Sequence, residues 1–215
     1  DMSQQQNAVG AQGRATLHHC DARDMHPLMD NTIDLVLTSP PYANNYDYAD
    51  ATRLEVTFWF DHDWKQEQQR IKQSLMRSCS QHSSNLKEEA QHLLNSELLK
   101  PIKKELTTQF DALASIKQTR GGKKNYDLMA VGYFHDMARI FHELNRVCSP
   151  SAKMAFVVGD SAPYGIHLPV DQWLGQIAVS AGFQSFEFEK LRDRNTKWKN
   201  RKHRVLLHEG ILKIS

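Results

Sequence analysis

Cysteine is scarce in this chain. Its 215 residues hold three, Cys20, Cys79 and Cys148, far apart and never as a CxxC pair. That argues against a disulfide framework or a thiolate zinc site and fits a reducing, cytoplasmic setting. No apolar run approaches the roughly 18 residues that a membrane-spanning helix needs, and no secretory leader is visible. The first residue is Asp1 rather than Met, as expected of a trimmed chain or a piece of a longer one. Net charge is small, +2, but unevenly placed. The stretch KLRDRNTKWKNRKHR (Lys190–Arg204) sets eight Lys and Arg against one Asp, a net +7 that leaves −5 on the remainder. A basic stripe on a mildly acidic body points to directed contact with a polyanion, although a solvated loop is the plainer reading of such a run.

What is present suffices for a core, since 40% of the residues are hydrophobic. Residues 1–14 are polar and read as a flexible lead-in. ATLHHCD (15–21) reads as a strand. TIDLVLT (32–38) reads as a buried strand. Leu86, Ala90, Leu93, Leu94, Leu98, Ile102, Leu106, Phe110 and Leu113 recur at three- and four-residue steps, one apolar helix face that Pro101 should kink or split. An earlier helix is expected through Trp64–Ser80. Together residues 53–119 read as a helical insertion, which either recognises something or only packs on its parent. TRGGKKNY (119–126) reads as a glycine-basic hinge. A helix over Tyr126–Arg146 has Met129, Phe134, Met137, Ile140, Phe141 and Leu144 on its inner face. SAKMAFVVGD (151–160) is a further strand. PVDQWLGQIAVSAG (169–182) is a helix with proline at its start and glycine at its end. FQSFEFEKL (183–191) alternates as a half-exposed strand does, and VLLHEGILKI (205–214) closes the chain as a strand or hairpin. The order is that of an α/β domain over 15–215. Trp59, Trp64 and Trp173 are expected to anchor the core.

The segment that asks for an explanation is TSPPYANNYDY (38–48). Ser39 and Pro40 each precede a proline and are pushed to extended geometry. Pro40 and Pro41 have no N–H, so no strand ladder continues through them. Their carbonyls remain as acceptors, Ser39 adds a hydroxyl, and Tyr42 adds a flat ring. All sit at the carboxyl end of a strand, where open α/β sheets place ligands. Two acceptors, the Ser39 hydroxyl and the Pro40 carbonyl, can grip both hydrogens of an exocyclic amine while Tyr42 stacks on its base. Such hydrogen bonds localise the amine's lone pair and aim it at an electrophile, catalysis by positioning and electrostatics.

DLVLTSPPYANNYDY resembles the catalytic motif of the amino-methylating DNA methyltransferases, the N4-cytosine/N6-adenine class, whose tetrapeptide is Ser, Asp or Asn, then Pro-Pro, then Tyr or Phe. HHCDARDMHPLMDNTIDLVLTSPPY, FVVGDSAPYG and NRKHRVLLHEGIL extend the likeness to a subgroup of bacterial DNA modification methylases. The resemblance implies a Rossmann-like fold, S-adenosylmethionine as methyl donor, and double-stranded DNA as partner in a setting such as restriction-modification. It makes Ser39, Pro40, Pro41 and Tyr42 catalytic, with Ser first favouring N4 of cytosine over N6 of adenine, the base being flipped out of the duplex at a cost of a few kcal/mol. It places Asp21, Ala22 and Ser39 beside the cofactor. Asn44, Asn45 and Asp47 then line the base pocket or simply form the turn. Asp160 and Ser161, ending a strand on the same presumed edge, are candidate pocket wall. Lys197, Lys199, Arg201, Lys202 and Arg204 would neutralise phosphates, with Trp198 stacking on a nucleotide or packing the loop. No metal is expected, because His18, His19, His62 and His203 lack ligand spacing with nearby carboxylates.

The family's glycine-rich cofactor loop, which follows a strand, has no match among the ten glycines. AVGAQG (8–13) is nearest but lacks the preceding strand and the aromatic-Pro lead. The expectation is that this loop lies on an upstream or separate segment, so that this chain alone binds the donor weakly or not at all. A non-catalytic nucleic-acid-binding module is the rival reading.

Overall fold

A computed structural model describes residues 13–83, 86–121, 124–194 and 205–215. The first strand, β1 (Ile33–Thr38), leads into five helices: α1 (Tyr48–Ala51), α2 (Arg53–Phe60), α3 (Trp64–Ser74), α4 (Ala90–Leu94) and α5 (Lys103–Thr119). A long helix, α6 (Tyr126–Val147), runs directly into β2 (Cys148–Gly159); α7 (Val170–Ser180), β3 (Phe186–Arg194) and β4 (Leu207–Ile214) complete the order. The strands form one mixed sheet in the order β1-β2-β4-β3, with β1 and β2 parallel and the other pairs antiparallel. This is an α/β architecture. Among the described residues no helix is long and apolar enough to cross a membrane.

Alternation along the strands builds the core. Val36, Met154, Ile214 and Phe186 lie in one row across all four strands, and Thr38, Phe156, Leu212 and Phe188 in the next. This face meets α6 and α7, and Met154, Phe156, Leu212 and Ile214 are buried on it. The six inner-face residues expected on the long helix are all buried, as is Trp173 on α7, which packs edge-to-face on Phe134 at 5.0 Å.

The apolar stripe expected over 86–113 is present but not as one helix. It breaks into α4, a 3-10 stretch at Glu97–Ile102 that contains Pro101, and α5, because proline removes a backbone donor and clashes with the preceding turn. Leu86, Leu94, Leu99, Ile102, Leu106 and Leu113 join the same buried cluster as α6 and α7. These helices therefore pack on their parent. Lys117 fastens the end of α5 to the start of α6, reaching Asn125 Oδ1 at 2.7 Å and Asp127 at 3.3 Å.

Several expectations need correction. The strand expected to be buried over 32–38 exposes Leu35 and Leu37, and Trp64, expected as a core anchor, is only half-buried. ATLHHCD is no strand: residues 14–20 are irregular and mostly exposed, followed by an isolated Asp21–Asp24 bridge. It has no neighbouring strand to pair with among the described residues. The helix expected through Ser80 stops at Ser74, where Leu75 turns extended. Trp59 is 75% exposed rather than a core anchor, on an α2 surface that also exposes Leu54 and Phe58. Most of the expected lead-in, the centre of the glycine-basic hinge and most of the basic stripe (195–204) lie outside the described residues.

Candidate functional site

All four strands deliver side chains to one edge of the sheet. The parallel pair ends there with Ser39–Tyr42 after β1 and Asp160–Ser161 after β2. The antiparallel pair contributes Arg192 and Arg194 from the end of β3 and His208 and Glu209 from the start of β4. The ends that flank residues 195–204 thus meet at this edge.

Pro40 is buried, Ser39 is exposed, and Pro41 and Tyr42 are half-buried. The Ser39 hydroxyl donates to the Val157 carbonyl of β2 at 3.3 Å, which spends its proton on the protein and leaves its lone pairs to accept. The Tyr42 hydroxyl donates to Glu209 Oε2 at 3.1 Å. The Arg194 guanidinium lies over the Tyr42 ring, 5.1 Å from its centroid, and donates to the Asp160 carbonyl at 2.9 Å. Burial and the neighbouring Glu209 carboxylate push the Tyr42 phenol above its ordinary pKa, so it stays a neutral donor. Gly159 allows this packing: a Cβ there would stand 2.7 Å from Arg194 Nη1 and 3.2 Å from Tyr42 Cε2.

Beside this corner lies a cleft of about 280 Å³, lined by Asn44, Asp160, Ser161, Tyr126, Tyr164 and Arg194, among others. Asn44, Asp160 and Ser161, expected from sequence as pocket residues, are brought together here. Ser161 is buried and its hydroxyl donates to the Ala43 carbonyl, tying the β2 end to the proline turn. Asn45 and Asp47 do other work. Asn45 takes a left-handed φ of 66° for a turn and accepts from Ser80 N at 2.8 Å; Asp47 caps α1 by accepting from Asp50 N at 3.0 Å.

Two aromatic residues of the cleft were not anticipated. Tyr126 and Tyr164 meet edge-to-face at 4.7 Å, and Arg120 lies 5.4 Å from the centre of the Tyr164 ring. Tyr164 holds φ 53° in the turn Pro163–Gly165, a conformation that costs an aromatic residue energy and clusters at ligand sites. The available signal was the tripeptide Pro-Tyr-Gly directly after the Gly-Asp-Ser strand end.

Behind the cleft sits a polar cluster also missed. Buried Asp160 accepts from Val170 N at 3.1 Å and stands 2.7 Å from His167 Nε2 and 3.3 Å from His208 Nδ1. The other ring nitrogen of His208 faces Asp171 at 3.5 Å. Asp160, Asp171 and His208 are close enough to share a cation; His208 Nδ1 faces Asp160 and Nε2 faces Asp171, but neither His208 Nε2 nor Asp171 Oδ1 has a hydrogen-bond partner among the described residues. Burial is the main cause that raises the Asp160 carboxyl pKa; Asp171 adds to it, and the His167 hydrogen bond opposes it.

Of the residues expected beside the cofactor, Ser39 stands at the carboxyl end of β1, and Asp21 and Ala22 lie on the segment before that strand. Asp21 is held by Arg23 at 2.7 Å, which lowers its carboxyl pKa. Arg23 in turn reaches Asp136 of α6 and the Ser74 carbonyl, so the ties of Asp21 run to α6 and the end of α3. Ala22 is exposed. Among the described residues no strand precedes β1 to carry a glycine-rich turn. Lys197, Trp198, Lys199, Arg201, Lys202 and Arg204 lie outside the described residues.

Over 175 residues, 77% of its length, the chain is 33% identical to the Type II methyltransferase M.BsoBI of Geobacillus stearothermophilus. Over 159 residues it is 30% identical to the Type II methyltransferase M.AvaI, from Nostoc sp. and from Anabaena variabilis. It spans about a third of the length of these curated relatives, 34% and 30%. No family model matches, and neither does any solved structure.

Proposed function

The chain belongs to the DNA methyltransferase family, and on that premise we propose that it is the base-gripping part of a Rossmann-like, S-adenosylmethionine-dependent enzyme that methylates the exocyclic amine of a flipped base in double-stranded DNA, N4 of cytosine before N6 of adenine. The observation that carries this reading is the Ser39–Tyr42 turn at the carboxyl end of β1. The Ser39 hydroxyl gives its proton to Val157 and so can accept from the amine, with the Pro40 carbonyl as second acceptor. Held from both hydrogens, the amine nitrogen keeps its lone pair for the incoming methyl group. The Tyr42 ring stacks on the base, backed on one side by Arg194. Formation of the bond to the methyl group would break that group's bond to the donor's sulfonium sulfur, which would leave as a neutral thioether, and the methylated nitrogen would release its surplus proton to solvent water. The Ser39 hydroxyl and Pro40 carbonyl bear the positive charge that develops on nitrogen.

The donor supplies the electrophilic methyl group. The residues described do not fit it, since Asp21 is committed to Arg23, and no step is assigned to a donor pocket in this chain. The methylated products of cytosine-only and adenine-only duplexes, measured with labelled donor in the complete enzyme, test the proposal. Methyl groups on N4 of cytosine are expected, and Ser39→Ala with Tyr42→Ala should abolish them. Activity that survives the double substitution overturns the site; label on adenine alone overturns the base. Titration calorimetry on this chain by itself should detect little or no S-adenosylmethionine binding.

A further inference from the structure

Behind the cleft, three elements bring acids and an imidazole together. Asp160 follows β2, Asp171 stands in the first turn of α7, and His208 lies at the start of β4. Their separation in sequence hides any ligand spacing. Asp160 and Asp171 are 1% and 4% exposed. Asp160 is well supplied with partners: Oδ1 accepts from Val170 N at 3.1 Å, and Oδ2 faces His167 Nε2 at 2.7 Å and His208 Nδ1 at 3.3 Å. Asp171 is not. Its Oδ2 accepts from Gln172 Nε2 at 3.2 Å and faces His208 Nε2 at 3.5 Å. Its Oδ1 is buried with no hydrogen-bond partner among the described residues, and so is His208 Nε2. Each orphaned atom costs folding energy, because it has left water and gained no partner. A proton on His208 Nε2 does not account for the pair. It would still leave Asp171 Oδ1 bare, and the 3.5 Å approach of Nε2 to Oδ2 forms no hydrogen bond.

We propose that Asp160, Asp171 and His208 bind one divalent transition-metal ion, with zinc as the type. Imidazole together with carboxylates is a donor set that suits zinc. One ligand atom from each of the three lies within 4.8 Å of the others. Ligands bound to a tetrahedral zinc ion stand about 3.4 Å from one another. The 3.5 Å between His208 Nε2 and Asp171 already has that value, and Asp160 closes the triangle by moving roughly an ångström on loading. The partly exposed His167, already in contact with Asp160, or a water molecule takes the fourth position. The ion satisfies both orphaned atoms. It clips the end of β2, the start of α7 and the start of β4 together, directly behind the corner where Arg194 donates to the Asp160 carbonyl and covers the Tyr42 ring. It lies outside the Ser39–Tyr42 turn, and no step of methyl transfer passes through it, so the site stands independently of the functional reading above. The raised carboxyl pKa of Asp160 belongs to the ion-free chain, since a bound cation would reverse it.

Titration calorimetry of the chelator-treated chain with zinc chloride tests the site without DNA or methyl transfer. One ion per chain is expected, with a Kd of about 10 µM or below. Asp171→Asn keeps the side chain's shape and removes a charged ligand; it should weaken binding by about tenfold or more, and His208→Gln should do the same. His18→Gln with His19→Gln, an exposed pair away from the cluster, should leave the affinity unchanged. Nitrogen-15 resonances of the wild-type imidazoles give a readout that needs no substitution, so the test holds even where a variant fails to fold. The His208 Nε2 signal should move to the position of a metal-bound nitrogen in excess zinc and return when chelator is added. No binding in the calorimeter overturns the site. So does binding that survives Asp171→Asn and His208→Gln but is lost with His18 and His19, which would place the ion on surface histidines, and so does a His208 ring whose signals stay unchanged in excess zinc.

Discussion

Tyr42, Arg194 and Gly159 form a contact in which each member limits the others. The guanidinium occupies one face of the ring and reaches the Asp160 carbonyl, and both rest on a residue without a side chain. A methyl group at 159 would stand 2.7 Å from Arg194 Nη1, the far end of a flexible side chain, and 3.2 Å from both the Tyr42 ring and the His208 carbonyl. Gly159→Ala should therefore cost about 1–3 kcal/mol, the usual range for overpacking. The worst contact belongs to Arg194, so adding Arg194→Ala should recover part of the loss. Urea denaturation of the two single variants and the double variant measures this as a coupling energy; additivity would mean that the strain falls on the His208 backbone instead. The buried Asp160 gives a second expectation. Its carboxyl pKa is raised from the ordinary 3.8, chiefly by burial, so the fold favours the protonated form. The stabilisation is complete below the unfolded value and is lost as pH rises through the higher folded value. Asn imitates the protonated acid. Wild type should lose stability relative to Asp160→Asn as pH is raised from about 4, and parallel curves for the two proteins would refute it.

Among the elements, α6 is held by a charge network as well as by its apolar face. Asp136 is fully buried and takes hydrogen bonds from Arg77 N and Nε at 3.0 Å, with Arg23 Nη1 at 3.2 Å. The segments after α3 and before β1 are thereby fixed to one helix. Asp136→Asn takes from Arg77 the carboxylate it pairs with and from Arg23 one of its two, Asp21 remaining, and should destabilise the fold by about 3–5 kcal/mol, seen as a lower urea midpoint. A loss under 1 kcal/mol would mean that water satisfies both arginines. None of this network was legible in the sequence, because Arg23, Arg77 and Asp136 are joined only by tertiary packing. The elements themselves were more visible. The inner face of α6 announced itself by helical spacing, and the β1 strand by a short apolar run stopped by two prolines. The same run concealed which face it shows to water: continuous apolarity reads as burial on both sides, whereas Leu35 and Leu37 are exposed. ATLHHCD failed because no strand lies beside it among the described residues. At the site, the proline turn and the Gly-Asp-Ser strand end carried strong local signals. Arg194, Glu209 and His208 did not, since only the antiparallel return of β3 and β4 brings them to that edge.

The molecule as a whole separates its charge. A net +7 falls on Lys190–Arg204 and −5 on the rest, and the strand ends that flank residues 195–204 meet at the edge that holds Ser39 and Tyr42. On the proposed function, an acidic body would repel DNA except where the basic stripe meets it, so the charge pattern would orient the duplex toward that edge without reading its sequence. Each phosphate neutralised releases counterions, and the logarithm of the affinity should fall linearly with the logarithm of salt concentration by roughly 0.9 per contact. Lys197, Lys199, Arg201, Lys202 and Arg204 would contribute a slope of about −4 to −5 if each met one phosphate. Replacing them singly with Gln should flatten the slope by about one unit or less each, whereas Lys103→Gln and Lys104→Gln on α5 should leave it unchanged. Fluorescence anisotropy with a labelled duplex over a salt series measures both. Equal flattening by the α5 variants would mean that the protein attracts DNA through its overall charge, and the stripe would then have no special part in placing a base at Ser39.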